Sequence, residues 1–217
     1  MKKILFEGCG TAIATPFNEN GVNLEEFKRL VEYQIENNVD ALIVCGTTGE
    51  SATMTEEERL QTIECAVKTS NGRIPIIAGT GANNTKAVIE MNKKVEQLGV
   101  DGVLIVTPYY NKTTQEGLLA HYKVIAENTK LPIILYNVPS RTGVNIKPET
   151  CLKLSKIPNI VAIKEASGDL SQIAEIANLC GEELSIYSGN DDQVIPILSL
   201  GGKGVISVLS NIKPRYT

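Results

Sequence analysis

The segment Ile160-Val161-Ala162-Ile163-Lys164 shows most clearly which kind of fold this chain adopts. Its four apolar residues follow one another without polar alternation, which is typical of a β-strand that is covered on both faces. Similar apolar segments, rich in β-branched residues, recur on both sides of it. They occupy residues 9–15, 41–45, 74–78, 102–106, 132–136, 184–188 and 204–209. Together with residues 160–164 they predict eight buried strands.

Amphipathic stretches separate these segments. In residues 24–35, for example, apolar side chains repeat at the spacing of an α-helix. The sequence also carries helix signals, namely two pairs spaced as in a capping box, Asn23 with Glu26 and Thr55 with Glu58, and a helix stop at Gly99. The pattern is seven strand–helix units and then an eighth strand. Strands that alternate with helices in this way predict a parallel sheet. Eight strands favour closure of that sheet into a (β/α)8 barrel, the TIM barrel.

No change in composition and no Ser- or Pro-rich linker divides the chain, so we expect residues 1–217 to form a single barrel domain. Only residues 210–217 follow the eighth segment, and Pro214 lies among them. They are too few for an eighth helix, and barrels of this type usually need about 250 residues. The sequence therefore predicts a barrel that is shortened after its eighth strand.

Composition excludes several classes of function. The chain has a net charge of −4, a pI near 5.2 and a single histidine, His121. We expect no binding of nucleic acid, because no basic tract is present, and no membrane segment, because the apolar runs are too short. The five scattered cysteines predict small buried residues in a cytoplasmic protein rather than a zinc site. Residues 79–84 resemble a dinucleotide-binding loop only weakly, because a third glycine is missing.

The single histidine also limits the chemistry. Any histidine-dependent nucleophile would have to use this one residue. It lies in a predicted helix, where we expect it to be exposed or lightly buried. In a parallel barrel every strand ends at the same face, and active sites lie there. Lys164 closes a buried strand, where low polarity lowers the pKa of an amine and makes it a nucleophile toward carbonyl groups. The structural alternative is a lysine that reaches solvent or pairs with Glu165.

Other polar residues follow the remaining strands at this predicted face. Each has an ordinary structural explanation when it is taken alone: a core tyrosine, a turn threonine or a surface arginine. Their convergence favours a site in which hydroxyl groups transfer protons and an arginine binds a carboxylate. The motifs are Gly46-Thr47-Thr48-Gly49-Glu50-Ser51, Tyr109-Tyr110-Asn111, Tyr136-Asn137-Val138-Pro139-Ser140-Arg141-Thr142-Gly143 and Lys164-Glu165.

These four motifs closely resemble the dihydrodipicolinate synthase family of the pyruvate-dependent class I aldolase superfamily, and the resemblance extends over essentially the whole chain. It implies that Lys164 forms a Schiff base with pyruvate, whose enamine then attacks L-aspartate 4-semialdehyde on the route to diaminopimelate and lysine. No metal or organic cofactor is implied. The residues that match the family's catalytic positions are Lys164, Tyr136, Thr47 and Tyr110, and those that match its substrate-binding positions are Thr48, Arg141, Gly189 and Ile206.

The resemblance also carries expectations about assembly and regulation. In the family, the residue that Tyr110 matches reaches into a neighbouring subunit's site, and the usual assembly is a homotetramer built as a dimer of dimers. Ser51, Ala52, Asn83 and Tyr109 match the site at which some members bind lysine. Glu56, Arg59 and Ala87 depart from the pattern of lysine-inhibited members, so we expect no inhibition by lysine.

Two alternatives remain open at the level of sequence. One is another Schiff-base aldolase of the same superfamily, an N-acetylneuraminate lyase or a 2-keto-3-deoxy sugar acid aldolase. Arg141 and the pair Thr47-Thr48 argue against these two. The other alternative is a shortened barrel that folds but does not catalyse a reaction.

Overall fold

The computed structural model describes residues 2–217, and in it eight parallel strands close into a barrel. Around the barrel the strands follow the order β1-β10-β9-β8-β7-β6-β5-β4. The predicted (β/α)8 architecture is therefore confirmed. The barrel strands are β1 (Gly8–Ala12), β4 (Ala41–Val44), β5 (Ile76–Gly79), β6 (Gly102–Val106), β7 (Ile133–Asn137), β8 (Ile160–Glu165), β9 (Ser185–Ser188) and β10 (Gly204–Ser207).

The predicted strands all exist, but two of them end earlier than the sequence suggested. The segment 9–15 forms β1 only as far as Ala12, and the segment 204–209 forms β10 only as far as Ser207. Beyond Ser207 the backbone N–H groups of Val208 and Leu209 donate to the carboxylate of Asp191 instead of a neighbouring strand. A short hairpin of β2 (Phe17–Asn18) and β3 (Gly21–Val22), which the sequence analysis did not predict, follows β1.

Helices connect the strands and cover the barrel from outside. At the start of the second helix, Thr55 and Glu58 form the complete predicted capping box, and Gly99 ends the third with a left-handed φ of 85°. Asn23 accepts a hydrogen bond from the Glu26 backbone N–H, but the Glu26 side chain pairs with Arg29, so only half of that predicted box forms. The helices are α1 (Leu24–Glu36), α2 (Glu56–Ser70), α3 (Thr85–Leu98), α4 (Gln115–Glu127), α5 (Pro139–Thr142), α6 (Pro148–Leu154), α7 (Leu170–Cys180) and α8 (Val194–Ser199).

The hydrophobic core has two layers, because successive side chains of a strand point to opposite faces. The larger layer lies between the strands and the helices, and the smaller one fills the inside of the barrel. Within the barrel the ring of Phe6 stacks on that of Tyr187, with ring centroids 4.3 Å apart, and the Tyr187 hydroxyl donates to the Phe6 carbonyl oxygen at 2.6 Å. This pair fills the amino-terminal end of the barrel, which leaves the carboxyl-terminal end for a site.

Within residues 2–217, no α-helix follows β10. Two short 3₁₀ turns, Leu209–Asn211 and Pro214–Tyr216, occupy this part of the chain. Beside them, between α8 and the start of β1, lies a groove of about 750 Å³. The side chains of Ile195 and Ile212 are largely exposed on this side of the barrel.

The single histidine is more deeply buried than the exposed or lightly buried position that the sequence predicted. His121 lies on the inner side of α4 and is only 6% exposed, and its Nδ1 atom is 2.8 Å from the hydroxyl oxygen of Thr85. Packing against α3, which no local pattern in the sequence reveals, removes it from water. The five cysteines are all buried and free, as the sequence predicted.

Candidate active site

The carboxyl ends of the strands surround a cavity of about 470 Å³. Loops from five different strands contribute to it, because every strand of a parallel barrel ends at this face. The lining residues are Thr47, Thr48, Tyr136, Val138, Ser140, Arg141, Lys164, Ala166, Gly189, Asn190, Asp191, Asp192 and Val208. The sequence-predicted residues Lys164, Tyr136, Thr47, Thr48, Arg141 and Gly189 therefore lie together around one cavity.

Lys164 lies in β8 and is only 5% exposed. The pKa of its ammonium group is lowered from 10.5 to about 8: burial lowers it most, the negative charge of Asp191 raises it, and the positive charge of Arg141 lowers it. The Nζ atom lies 4.5 Å from the centroid of the Tyr136 ring. Lys164 thus neither reaches solvent nor pairs with Glu165, and a substantial fraction of the amine is neutral near pH 8.

Tyr136 occupies the position opposite Lys164 on the neighbouring strand β7. Its side chain is buried, and this burial raises the pKa of the phenol, while the Thr47 side chain and the charge of Arg141 lower it. A phenol that is held beside an amine, with a second hydroxyl group next to it, can pass protons to and from a reacting group.

A buried polar network supports these two residues from behind. Asn137 and Glu165 are the next residues on the same two strands, and their side chains point away from the cavity. The Asn137 Nδ2 atom donates to both carboxylate oxygens of Glu165, at 3.0 and 3.1 Å. The backbone N–H of Ser167 donates to the same carboxylate at 2.9 Å. These hydrogen bonds fix β7 against β8 and therefore fix Tyr136 relative to Lys164.

The loop with Thr47 and Thr48 follows β4 through a tight turn. Cys45 adopts a left-handed φ of 56°, and the Glu50 backbone N–H donates to the Thr47 carbonyl oxygen at 3.1 Å. The turn packs directly on β5, where a Cβ atom at Gly79 would collide with the carbonyl oxygen of Cys45. Only glycine permits this close approach, which brings both threonines to the edge of the cavity.

Arg141 lies on the short helix α5, which follows β7 directly. Its side chain is exposed at the mouth of the cavity, opposite the loop of Asp191 and Asp192. Gly143 ends the helix with a left-handed φ of 69°. An exposed guanidinium at this position is available to a carboxylate that enters from solvent.

Two of the sequence-predicted site residues do not line the cavity. Tyr110 is 87% exposed and adopts a left-handed φ of 75°. Ile206 has its side chain inside the barrel, and Val208, two residues further along, reaches the cavity instead. The sequence analysis assigned no role to Asp191, although its place directly after β9 put it at the same face.

The arrangement supplies an amine of lowered pKa, two hydroxyl groups and a guanidinium around one space. These groups suit a reaction in which an amine attacks a carbonyl group of a small acid. Among residues 2–217, no group of three His, Cys, Asp or Glu side chains could hold a metal ion. In that same part of the chain, no helix is both long and apolar enough to cross a membrane.

Comparison with known proteins decides the family. The family model described as "Dihydrodipicolinate synthetase family" matches residues 5–217. The chain belongs to this family. A dihydrodipicolinate synthetase relative from Clostridium perfringens, named 4-hydroxy-tetrahydrodipicolinate synthase, is 59% identical over 213 residues, which are 98% of this chain and 73% of that protein. A relative from Clostridium acetobutylicum, 4-hydroxy-tetrahydrodipicolinate synthase 1, is 59% identical over 211 residues, covering 97% of this chain and 72% of that protein.

Solved structures of the dihydrodipicolinate synthetase family have the same fold. Dihydrodipicolinate synthase from Thermotoga maritima superposes with a TM-score of 0.95 at 49% identity, covering 98% of this chain and 73% of that one. The chloride-inhibited enzyme from Acinetobacter baumannii, solved in complex with pyruvate, gives a TM-score of 0.94 at 46% identity, covering 96% and 72%. Members of this family are aldolase-type lyases that form a Schiff base with pyruvate and need no external cofactor. The chain is an enzyme of this class.

Proposed function

We propose that this chain catalyses the 4-hydroxy-tetrahydrodipicolinate synthase reaction, condensing pyruvate with L-aspartate 4-semialdehyde on the route to diaminopimelate and lysine. The observation that carries the proposal is Lys164, a buried amine with a pKa of about 8, in the same cavity as Arg141. An amine of this kind can form a Schiff base at neutral pH, and the arginine provides a partner for the carboxylate of the second substrate.

In the proposed first stage, the neutral Nζ atom of Lys164 attacks the ketone carbon of pyruvate. The ketone oxygen takes up protons and leaves as water, which produces an imine between the lysine and the substrate. Tyr136, with its ring 4.5 Å from Nζ, supplies and takes back protons, and Thr47 links it to the edge of the cavity. Thr48 contacts the pyruvate carboxylate from the same turn.

In the second stage, loss of a methyl proton converts the imine to an enamine, and the enamine carbon attacks the aldehyde carbon of the semialdehyde. The aldehyde oxygen becomes a hydroxyl group by taking a proton from the Tyr136 phenol. We assign Arg141 to the carboxylate of this second substrate because its guanidinium lies at the mouth of the cavity. We assign backbone groups near the pocket to Gly189, directly after β9, and to Ile206 in β10, whose side chain points into the barrel and not into the cavity.

Tyr110 is assigned to the proton relay of a second copy of the chain. This role is compatible with its position, since its side chain projects from the barrel instead of lining the cavity of its own chain. The assignment requires self-association through the face that carries Tyr110, as in a dimer of dimers. One related structure, at 49% identity and a TM-score of 0.95, is described as a monomeric dihydrodipicolinate synthase variant.

The test is reductive trapping followed by a condensation assay. Incubation with pyruvate and borohydride is expected to add a carboxyethyl group to Lys164, located by peptide mass spectrometry. Lys164→Ala is expected to abolish the adduct, whereas Lys123→Ala, which removes an exposed lysine on α4, is expected to retain it. Folded protein without any adduct on Lys164 would refute the Schiff-base role.

The condensation assay then distinguishes the proposed activity from those of other aldolases in the superfamily. Turnover of pyruvate with L-aspartate 4-semialdehyde is expected, with no cleavage of N-acetylneuraminate or of 2-keto-3-deoxy sugar acids. Cleavage of either sugar acid, without condensation of pyruvate and the semialdehyde, would refute the proposed activity and identify a different aldolase. Light scattering on the same sample gives the assembly at which the activity is measured.

A further inference from the structure

The space beside the end of Lys164 is kept open by a glycine. A Cβ atom at Gly189 would lie 2.7 Å from the Ala166 Cβ atom and 3.1 Å from the Lys164 Cε atom, so a side chain there would fill this space. The cavity, of about 470 Å³, is in the size range of small-molecule sites. The proposed condensation needs the same room, because the aldehyde must reach the third carbon of the bound pyruvate. A 2-oxo acid that carries a further group on that carbon therefore has space beside the lysine.

The surroundings of the Lys164 amine contain little water and a fixed negative charge. Lys164 is 5% exposed, and the apolar side chains of Val138 and Val208 line the same cavity. The charge of Asp191 acts on the lysine. Its Oδ2 atom accepts from the backbone N–H groups of Val208 and Leu209, and its Oδ1 atom has no hydrogen-bond partner among the described residues. A second carboxylate beside the amine would lose hydration and lie near a like charge, and its departure as neutral CO₂ would relieve both costs.

A Schiff base with Lys164 supplies the chemistry for this departure. In the proposed mechanism, the imine of pyruvate becomes an enamine by losing a proton from its third carbon. When that carbon carries a carboxylate, the same enamine forms by cleavage of the bond to the carboxyl carbon. CO₂ leaves, and the electron pair of the broken bond forms the carbon–carbon double bond while the imine nitrogen loses its positive charge. This step requires no oxidant, reductant or base.

The Tyr136 phenol completes the cycle. Burial raises its pKa, so it keeps its proton near neutral pH, and its ring centroid is 4.5 Å from the Lys164 Nζ atom. It donates this proton to the third carbon of the enamine, which gives the imine of pyruvate, and it recovers a proton from solvent. Water then attacks the imine carbon and releases pyruvate and the free amine. The sum of the steps converts the 2-oxo dicarboxylate and one proton to the 2-oxo monocarboxylate and CO₂.

We propose that this chain has a second activity, the decarboxylation of 2-oxo acids that carry a carboxylate on the third carbon, of which oxaloacetate is the simplest, through a Schiff base with Lys164. This inference rests on the proposed function, because it uses the lysine and the phenol assigned there. It does not require Arg141, which lies at the mouth of the cavity and is assigned to the second substrate of the condensation.

The test measures the release of pyruvate from oxaloacetate with lactate dehydrogenase and NADH. EDTA is added because free metal ions decarboxylate oxaloacetate by themselves. The parent is expected to release pyruvate faster than buffer does, and Lys123→Met, at an exposed position on α4, is expected to match the parent. Lys164→Met is expected to lose this acceleration completely. So is parent protein that has been treated with pyruvate and borohydride and then desalted. Acceleration that persists in Lys164→Met would overturn the inference.

Borohydride trapping with oxaloacetate examines the cleavage step itself. An adduct on Lys164 that keeps both carboxyl groups, with no accelerated release of pyruvate, would mean that the imine forms but is not cleaved, and it would overturn the inference. If pyruvate is trapped on Lys164 and condensed while oxaloacetate is not decarboxylated, the inference is wrong and the proposed function stands. Decarboxylation without condensation would support the inference and refute the proposed condensation.

Discussion

Replacing Lys164 by methionine is expected to stabilise the protein while abolishing its chemistry. Methionine has a similar length and no charge, so it fits the site without burying an ammonium group. The pKa of Lys164 is about 8 in the folded protein, compared with 10.5 for an ordinary lysine. Each unit of difference corresponds to about 1.4 kcal/mol, so the buried charge costs about 3 kcal/mol of stability.

Because the pKa of Lys164 is lower in the folded state than in the unfolded state, this cost depends on pH. The folded state holds the proton less tightly than the unfolded state, so the unfolded state binds more protons between pH 8 and pH 10.5. Above pH 10.5 the amine is neutral in both states, and Lys164 imposes no cost on the free energy of unfolding. As the pH falls from 10.5 to 8 this cost grows, and below pH 8 it stays constant at about 3 kcal/mol. Lys164→Met is expected to exceed the parent by about 3 kcal/mol at pH 7 and by much less at pH 10.

Chemical denaturation of parent and variant at pH 7 and pH 10 measures this difference, since the free energy of unfolding extrapolates linearly with denaturant. Lys123→Met, at an exposed position on α4, provides the control and is expected to change stability by less than about 0.5 kcal/mol. A Lys164→Met variant that is no more stable than the parent at pH 7, or whose gain is the same at both pH values, would refute the reasoning.

Three further predictions concern the framework of the site. His121→Gln is expected to be less sensitive to acid than the parent. Burial lowers the His121 pKa to about 4, so the free energy of unfolding of the parent falls by about 3 kcal/mol relative to the variant between pH 6.5 and pH 4. A difference between the two proteins that does not vary with pH would contradict this. Asn137→Ala removes the closer side-chain donor of the buried Glu165 carboxylate, which leaves only the Gln172 amide at 3.5 Å as a side-chain donor, and is expected to cost roughly 3 kcal/mol in chemical denaturation. A loss below about 1 kcal/mol would show that other donors replace it. Gly79→Ala places a Cβ atom against the carbonyl oxygen of Cys45 and is expected to reduce stability by about 3 kcal/mol. Gly46→Ala, whose added Cβ atom would have its nearest neighbour at 3.7 Å, is expected to reduce stability less. Equal losses of the two variants in a thermal melt would argue against the close contact at Gly79.

The fold was predictable because its signal is local and repeated. A strand covered on both faces reads as an apolar run, as in Ile160–Glu165, and the ends of such runs mark one face of the barrel. The sequence therefore predicts that Lys164, Tyr136 and Arg141 lie in one site. The predicted end of β10 was wrong, because the apolar run continues beyond Ser207 but the strand does not. The backbone N–H groups of Val208 and Leu209 donate to Asp191 instead of extending the strand.

The environment of single side chains was harder to predict, because it depends on residues far away in the chain. His121 looked like an ordinary helix residue, yet α3 and α4 bury it against Thr85, which is 36 positions earlier. The free oxygen of Asp191 has no counterpart in any sequence pattern. It arises because two backbone N–H groups from the segment after β10 occupy only one of the two carboxylate oxygens.

The sequence by itself determined that this chain forms an eight-stranded parallel barrel and that a lysine, a tyrosine, two threonines and an arginine lie at the end where the strands finish. It could do so because strand periodicity and strand direction are properties of neighbouring residues. Only the tertiary structure decided that the lysine has a pKa of about 8, that a fixed aspartate acts on it, and that Asn137 and Glu165 support it from behind. Burial and charge at one atom depend on every element packed around it, and closure of the barrel brings those elements together.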